Sequence, residues 1–319
     1  MAGRRPFRMI APLLFITLLC GCTANRTSPA GDDNKVTVYT SFYTMYDFTL
    51  KIAGDKVNIM NMVPSGMEPH DWEPSPKDIA GLSGADLFIY NGAGMEGWAG
   101  KVLDSIKGSK LIAIETSKNV QVENPEQHES DHRYDQNQDQ DGHTDRESDP
   151  HVWLNPMNAR LQMEAIRDGL IRVDPRNSGF YQERFEEYSR KLDTLDEAFR
   201  SAVAGFSKKE IVVSHEAFGY LCHAYGLEQL AIEGVSSESE PTPARMAEII
   251  DFVREHQVRV IFFEELASPK VAEAIARETG VRTALLNPLE GLTEENLKAG
   301  KDYFSVMEEN LEALKQALQ

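Results

Sequence analysis

The chain has 319 residues, 41% of them hydrophobic, which is enough for two ordinary domains or one large one with a true core. Its formal net charge of −18 argues against nucleic acid as a partner and against direct adsorption to anionic lipid, because both reward a positive surface. Acidity suits a cation-handling protein, but many solvated surfaces are equally acidic.

The N-terminus reads as an export signal. Arg4, Arg5 and Arg8 form a basic region ahead of an apolar run from Met9 to Leu19, which is too short to span a bilayer. The run ends in L-C-G-C at residues 19–22, similar to the bacterial lipobox. Cys22 is therefore expected to take a diacylglycerol, giving a soluble domain tethered to a membrane by a lipid anchor rather than a span. Residues 1–22 are signal and lipobox, and residues 23–34, rich in Thr, Ser, Pro, Gly and Asp, are a tether. No later segment is long and apolar enough to cross a membrane. With Cys20 removed and Cys22 lipidated, Cys222 has no disulfide partner and reads as a small buried apolar residue.

A βαβα pattern follows over residues 35–173. Strand candidates are 36–40, 57–63, 86–91 and 111–115, separated by amphipathic segments such as Tyr46 to Ala53 and Trp98 to Ile106. The pattern implies a parallel sheet covered on both faces. It is interrupted by an acidic loop at 121–150. Residues Glu123 to Asp149 contain no Ala, Val, Leu, Ile, Met or Phe, but carry ten Asp/Glu and the histidines His128, His132 and His143. Such a stretch has no apolar area to offset its ordering entropy and is expected to be mobile.

Over 174–206 the periodicity becomes helical. Phe180, Tyr181, Phe185, Tyr188, Leu192, Leu195 and Phe199 recur three or four apart, which predicts one linking helix on the order of 45 Å long if continuous. A second alternating set fills 207–319. Its strands are predicted at 211–214, 229–232, 260–263 and 283–286, and its helices at Thr242 to His256, Lys270 to Thr279 and Asp302 to Leu318. The expected fold is thus α/β, two parallel-sheet lobes joined by one long helix.

Four candidate donors fall just past strand ends or ordered turns. His70 lies in P-S-G-M-E-P-H-D-W-E-P-S-P (64–76), His151 in D-P-H-V-W-L-N-P (149–156), His215 in S-H-E-A-F-G-Y-L (214–221) and Glu290 in L-N-P-L-E-G-L-T (286–293). Open α/β sheets bind ligands beyond the carboxyl ends of their strands, so two facing lobes would bring the four into one interlobe cleft. Three imidazoles and a carboxylate form a closed set suited to a borderline-soft divalent ion, held rather than used to activate water. Glu264 and Glu265 also end a strand in the second half and compete with Glu290 for the fourth place. His223 and His256 sit in helical patterns and read as structural or solvated.

These motifs, with F-F-E-E-L-A-S-P-K (262–270), resemble the solute-binding lipoproteins of bacterial zinc and manganese ABC transporters, an adhesin-like family, across essentially the whole mature chain. The resemblance implies an extracytoplasmic receptor at the cell membrane that binds Zn2+ and delivers it to an ABC permease. It implies His70, His151 and His215 as metal ligands, with an acidic fourth from the second lobe. Manganese members resembling this family tend to carry a carboxylate where this chain has His215, so three nitrogens favour zinc. A loop like 121–150 is typical of zinc members, which gives His128, His132 and His143 a possible role in auxiliary capture. A monomer is expected. The alternatives are a manganese or iron receptor, a surface adhesin and, from a different class, a metallohydrolase. The last is disfavoured because the chain lacks H-E-x-x-H and any obvious general base beside the ligands.

Overall fold

A computed structural model of the chain describes residues 35–121, 149–235 and 241–319, together with Gly3. Cys22, with its expected lipidation, and the loop histidines His128, His132 and His143 lie outside the described residues.

The first half runs β1 (Thr37–Thr40), α1 (Tyr43–Ala53), β2 (Asn58–Asn61), α2 (Pro76–Ser83), β3 (Leu87–Tyr90), α3 (Ala99–Ser105) and β4 (Ile112–Glu115). Next come α4 (Pro156–Val173) and α5 (Ser178–Val203). The second half is β5 (Glu210–Val213), α6 (Gly219–Tyr225), β6 (Glu228–Ala231), α7 (Pro243–Glu255), β7 (Val260–Phe263), α8 (Lys270–Thr279), β8 (Arg282–Leu285), α9 (Glu294–Lys298) and α10 (Tyr303–Leu318). The strand orders β2-β1-β3-β4 and β6-β5-β7-β8 match each other, and every pairing is parallel. The two α/β lobes that the sequence implies are therefore present, each with its strand order reversing beside β1 or β5.

Local chemistry sets the boundaries. Ser75 and Asp78 close a reciprocal capping box ahead of Pro76 at the start of α2, and Asp302 with Ser305 does the same for α10. Thr242 caps α7, whose first residue is Pro243. Gly280, in the left-handed region at φ +74, ends α8. Strands β3 (L-F-I-Y) and β7 (V-I-F-F) are nearly all buried, as expected for parallel strands covered on both faces.

The linking helix is shorter than the aromatic spacing predicts. It begins at Ser178, after a separate 3-10 turn at Pro175–Asn177, and its 26 residues span about 39 Å. Asp174 breaks the run: its carboxylate accepts from Asn177 Nδ2 at 2.6 Å and from the Tyr181 hydroxyl at 2.8 Å. Residues 156–173, placed above only within the first lobe, form α4, which packs alongside α5. Asn155 caps it by accepting from Met157 N.

One apolar core runs through both halves. Phe42, Phe48, Trp153, Tyr181, Phe199, Phe218, Phe262, Leu289 and Tyr303 are all buried within it. A second cluster lies under α7 and α8, and a third under α2 and α3. A fully buried side chain of this kind contributes roughly 1.5–3 kcal/mol. Parting the halves along the shared core therefore costs far more than shifting a loop, so a wide hinge swing is not available to this fold.

A polar strut crosses the same seam. Lys51 Nζ on α1 lies 2.9 Å from Asp47 and 2.8 Å from Asp302 at the start of α10. Tyr303 N donates to Asp47 at 3.3 Å, and the Tyr303 hydroxyl donates to Trp153 O at 2.7 Å. Cys222 is a buried free thiol within the shared core, as its sequence context implies. Among the described residues, no helix is long and apolar enough to cross a membrane.

Candidate metal centre

Each of the four candidate donors is fixed by its own local structure. His70 sits in the turn-rich loop that leaves β2, where Gly66 at φ +75 allows a reversal and Trp72 packs edge-on against Trp98 at 5.4 Å. His151 lies between Pro150 and a short 3-10 turn at Val152–Leu154. Asn91, just beyond β3, donates through Nδ2 to Pro150 O at 2.9 Å, and Gln162 on α4 donates to Asn91 Oδ1 at 2.7 Å. Asp149 Oδ1 accepts from both His151 N at 2.9 Å and His151 Nδ1 at 2.8 Å.

His215 follows β5 directly. Its N and Nδ1 donate to Glu264 Oε1 at 3.2 and 2.7 Å, so the carboxylate beyond β7 fixes the ring from behind. Glu290 lies in the loop after β8. Leu289 N donates to Asn287 Oδ1 at 2.8 Å, and Asn287 is held by two bonds to Asn310 on α10, at 2.9 and 2.8 Å.

These residues converge. One donor atom from each of His70, His151, His215 and Glu290 lies within 4.8 Å of the others. His70 Nε2 is 3.2 Å from both His151 Nε2 and Glu290 Oε1. His215 Nε2 is 3.4 Å from His151 Nε2 and 3.3 Å from Glu290 Oε1. A tetrahedron built on zinc–nitrogen bonds of about 2.05 Å has edges of about 3.3 Å, so these four separations fit such an ion. The remaining printed edge, His151 Nε2 to Glu290 Oε1, is a 2.6 Å hydrogen-bond distance and must lengthen by about 0.7 Å to match. His151, His215 and Glu290 are buried, and His70 is partly exposed at the mouth.

The three carboxylates left open for the fourth place are now distinguished. Glu290 joins the imidazoles. Glu264 turns to His215 Nδ1, and Glu265 turns away to Asn287, Thr293 and Asn296. His223 lies exposed on α6, and His256 stacks on Phe252 at 4.1 Å, so neither joins the centre.

Two acidic contributors escaped the sequence reading. Asp149, placed there in the acidic loop at 121–150 and given no role of its own, orients His151; a carboxylate two residues before a histidine was the available signal. Glu68, two before His70, stands beside Glu290, and burial followed by Glu290's charge raises its carboxyl to about 9. Asp149 also reaches the second lobe. A Cβ added at Gly219 would lie 2.5 Å from Asp149 Oδ2.

Charge and burial oppose each other here. Burial alone would raise the Glu290 carboxyl, but the charge of His215 and hydrogen bonds from His151, His215 and His70 hold it well below the usual range. Burial alone would lower His151 and His215. For His151, hydrogen bonds to Asp149 and Glu290 reverse that effect, and for His215 the Glu290 charge and the Glu264 bond push the imidazole well above its ordinary value. The sign follows directly. Histidines raised in the fold stabilise the metal-free protein below their unfolded pKa of about 6.5, and that contribution fades as pH rises through their folded values. Glu290, depressed, contributes above about 4.5 and loses its contribution as pH falls through its folded value.

Metal ligation needs bare imidazole nitrogens, so binding near neutral pH is expected to release protons, with affinity falling in acid. Titration calorimetry in buffers of different ionisation enthalpy measures the number released. Zero release would contradict the raised histidines.

The sequence and fold have known counterparts. The sequence model of the ZnuA family, described as "Zinc-uptake complex component A periplasmic", matches residues 38–317. A Bacillus subtilis (strain 168) protein named high-affinity zinc uptake system protein ZnuA is 39% identical over 310 residues, covering 97% of this chain and 96% of that protein. The zinc-binding lipoprotein AdcA of Streptococcus pneumoniae (strain ATCC BAA-255 / R6) is 41% identical over 285 residues, 89% of this chain but 56% of its own, so this chain spans about half of AdcA. The crystal structure of the Zn(II)-bound ZnuA-like domain of S. pneumoniae AdcA superposes with a TM-score of 0.75 at 38% identity, covering 89% of this chain and 99% of that one.

Proposed function

The chain belongs to the ZnuA family of zinc-uptake components, and we propose that it is the extracytoplasmic receptor that captures Zn2+ and hands it to an ABC permease for import. The observation that carries this reading is the meeting of three imidazole nitrogens and one carboxylate oxygen, from both lobes, at separations suited to a tetrahedral ion. His70, His151, His215 and Glu290 are the ligands. Asp149 and Glu264 hold the Nδ1 atoms of His151 and His215, so that both rings present a bare Nε2 to the ion.

Four protein donors leave no open position for a reacting water, which suits a carrier, and the chain is a binding component rather than an enzyme. Three nitrogens to one oxygen favour zinc over the harder manganese ion. A lipid on Cys22 would keep the receptor, a monomer, beside its permease. The ion enters past partly exposed His70, displacing protons from the buried imidazoles.

Native mass spectrometry of the chain from residue 23 onward, with zinc and manganese in competition, tests the reading. One bound zinc is expected, and His215→Glu should shift the preference towards manganese. Manganese preference in the unaltered protein would overturn the choice of ion, and absence of stoichiometric metal would overturn the receptor itself.

A further inference from the structure

Glu290 belongs to the second lobe by sequence, yet the first lobe also grips its segment. Trp153 Nε1 donates to Pro288 O at 2.7 Å, and the Thr44 hydroxyl donates to Leu289 O. On the other side, Gly66 N donates to Leu292 O at 3.1 Å. Thr44 is on α1, Trp153 is two residues past His151, and Gly66 is in the loop that carries His70. Thr44, Trp153, Leu289 and Glu290 are all buried. Between the two gripped carbonyls and the carboxylate, Leu289 adopts φ +62, a conformation that a leucine holds only where its surroundings over-determine it. His215 differs. Its holding bonds come from Glu264 and from Ser214 to Phe262 O, all within the second lobe.

Resting on the assignment of Glu290 as a ligand, we propose that Thr44 and Trp153 are positioning residues for it. The hydroxyl and the indole N–H act through the carbonyls of Leu289 and Pro288 and keep Glu290 in register with His70 and His151. Glu290 is thereby held from both lobes, through Thr44 and Trp153 on one side and Asn287 and Asn310 on the other, whereas His215 is held from the second lobe alone.

The test compares zinc affinity, by competition with a fluorescent chelator, in the otherwise complete protein. Thr44→Val keeps the shape and removes the hydroxyl, while Trp153→Phe removes the N–H. Thr49→Val is the control: it lies on the same helix, and its hydroxyl donates to Met45 O at 2.7 Å within that helix. Thr44→Val and Trp153→Phe are each expected to weaken zinc about tenfold, as loss of an outer partner of a ligand does. Thr49→Val should lower the melting temperature comparably and leave affinity unchanged. In a Glu290→Ala background the two positioning changes should cost nothing further, and the visible spectrum of the cobalt(II)-loaded protein should change for Thr44→Val but not for Thr49→Val.

Normal zinc binding by Thr44→Val and Trp153→Phe, alongside weak binding by Glu290→Ala, would overturn the proposal and spare the ligand set. Equal loss in Thr49→Val, or an undiminished loss in the Glu290→Ala background, would overturn it as a general stability effect. Normal binding by Glu290→Ala would remove the ligand assignment itself. If Trp153→Phe fails to fold, Thr44→Val decides alone.

Discussion

Replacing His151 by alanine is expected to weaken zinc binding by about a hundred- to a thousandfold, because structural zinc sites distribute roughly 10–16 kcal/mol over four ligands. His151 is the most connected donor. Its Nε2 lies 3.2 Å from that of His70, 3.4 Å from that of His215 and 2.6 Å from Glu290 Oε1. Its ring stands edge-on to Trp153 at 5.3 Å, so the substitution also removes packing. The two losses separate by measurement. Packing loss lowers the melting temperature of the metal-free protein, whereas ligand loss reduces the rise in melting temperature on adding zinc. Asp149→Ala, which removes only the partner of Nδ1, should cost about ten- to a hundredfold and so fall between the two. A His151→Ala variant that binds zinc within about threefold of the unaltered protein would remove this residue from the ligand set.

Lys51→Met should destabilise the fold by about 3–5 kcal/mol without touching the metal centre, since breaking a buried pair leaves an uncompensated charge. Asp47 bears the consequence, because its side chain is 7% exposed against 37% for Asp302, which water can solvate. Burial already raises the Asp47 carboxyl above its ordinary value even though Lys51 pulls it down. Removing Lys51 raises it further. A carboxyl raised in the fold takes up a proton there before it does so in the unfolded chain, so the variant's deficit is largest near neutral pH and shrinks on acidification. Urea unfolding at pH 7 and pH 5 measures both quantities. Adding Asp47→Asn to Lys51→Met should recover most of the loss, because a neutral pair no longer buries a lone charge. A deficit that is independent of pH and unrepaired by the second change would show that Lys51 acts through packing on Tyr188 and Phe304 instead.

The strands and most helices were legible because period and punctuation agreed: β7 and α8 fall on the predicted residues, and the other strands lie within the predicted runs or one residue from them. The three histidines were legible because each follows a strand or a proline-rich turn. Glu290 was the preferred fourth donor, but spacing alone did not separate it from Glu264 and Glu265, since all three lie past strand ends of one lobe. The choice depends on side-chain direction, which packing sets and sequence spacing does not. The late start of the linking helix at Ser178 has the same origin. Nothing in the aromatic spacing reveals that Asp174 spends its carboxylate on Asn177 and Tyr181 and so holds a separate turn at Pro175. Asp149 was hidden for a different reason. It closes a run of acidic residues without apolar neighbours, and composition does not single out the carboxylate that meets His151 Nδ1.

Gly219 has none of the left-handed dihedrals that usually reserve a position for glycine. What reserves it is the Asp149 carboxylate, arriving from the opposite lobe and standing where a side chain would begin. Positions 149 and 219 are thus sterically coupled. Alanine at 219 would push the Asp149 carboxylate aside, so a methyl group placed in the second lobe would disturb the anchor of a histidine in the first.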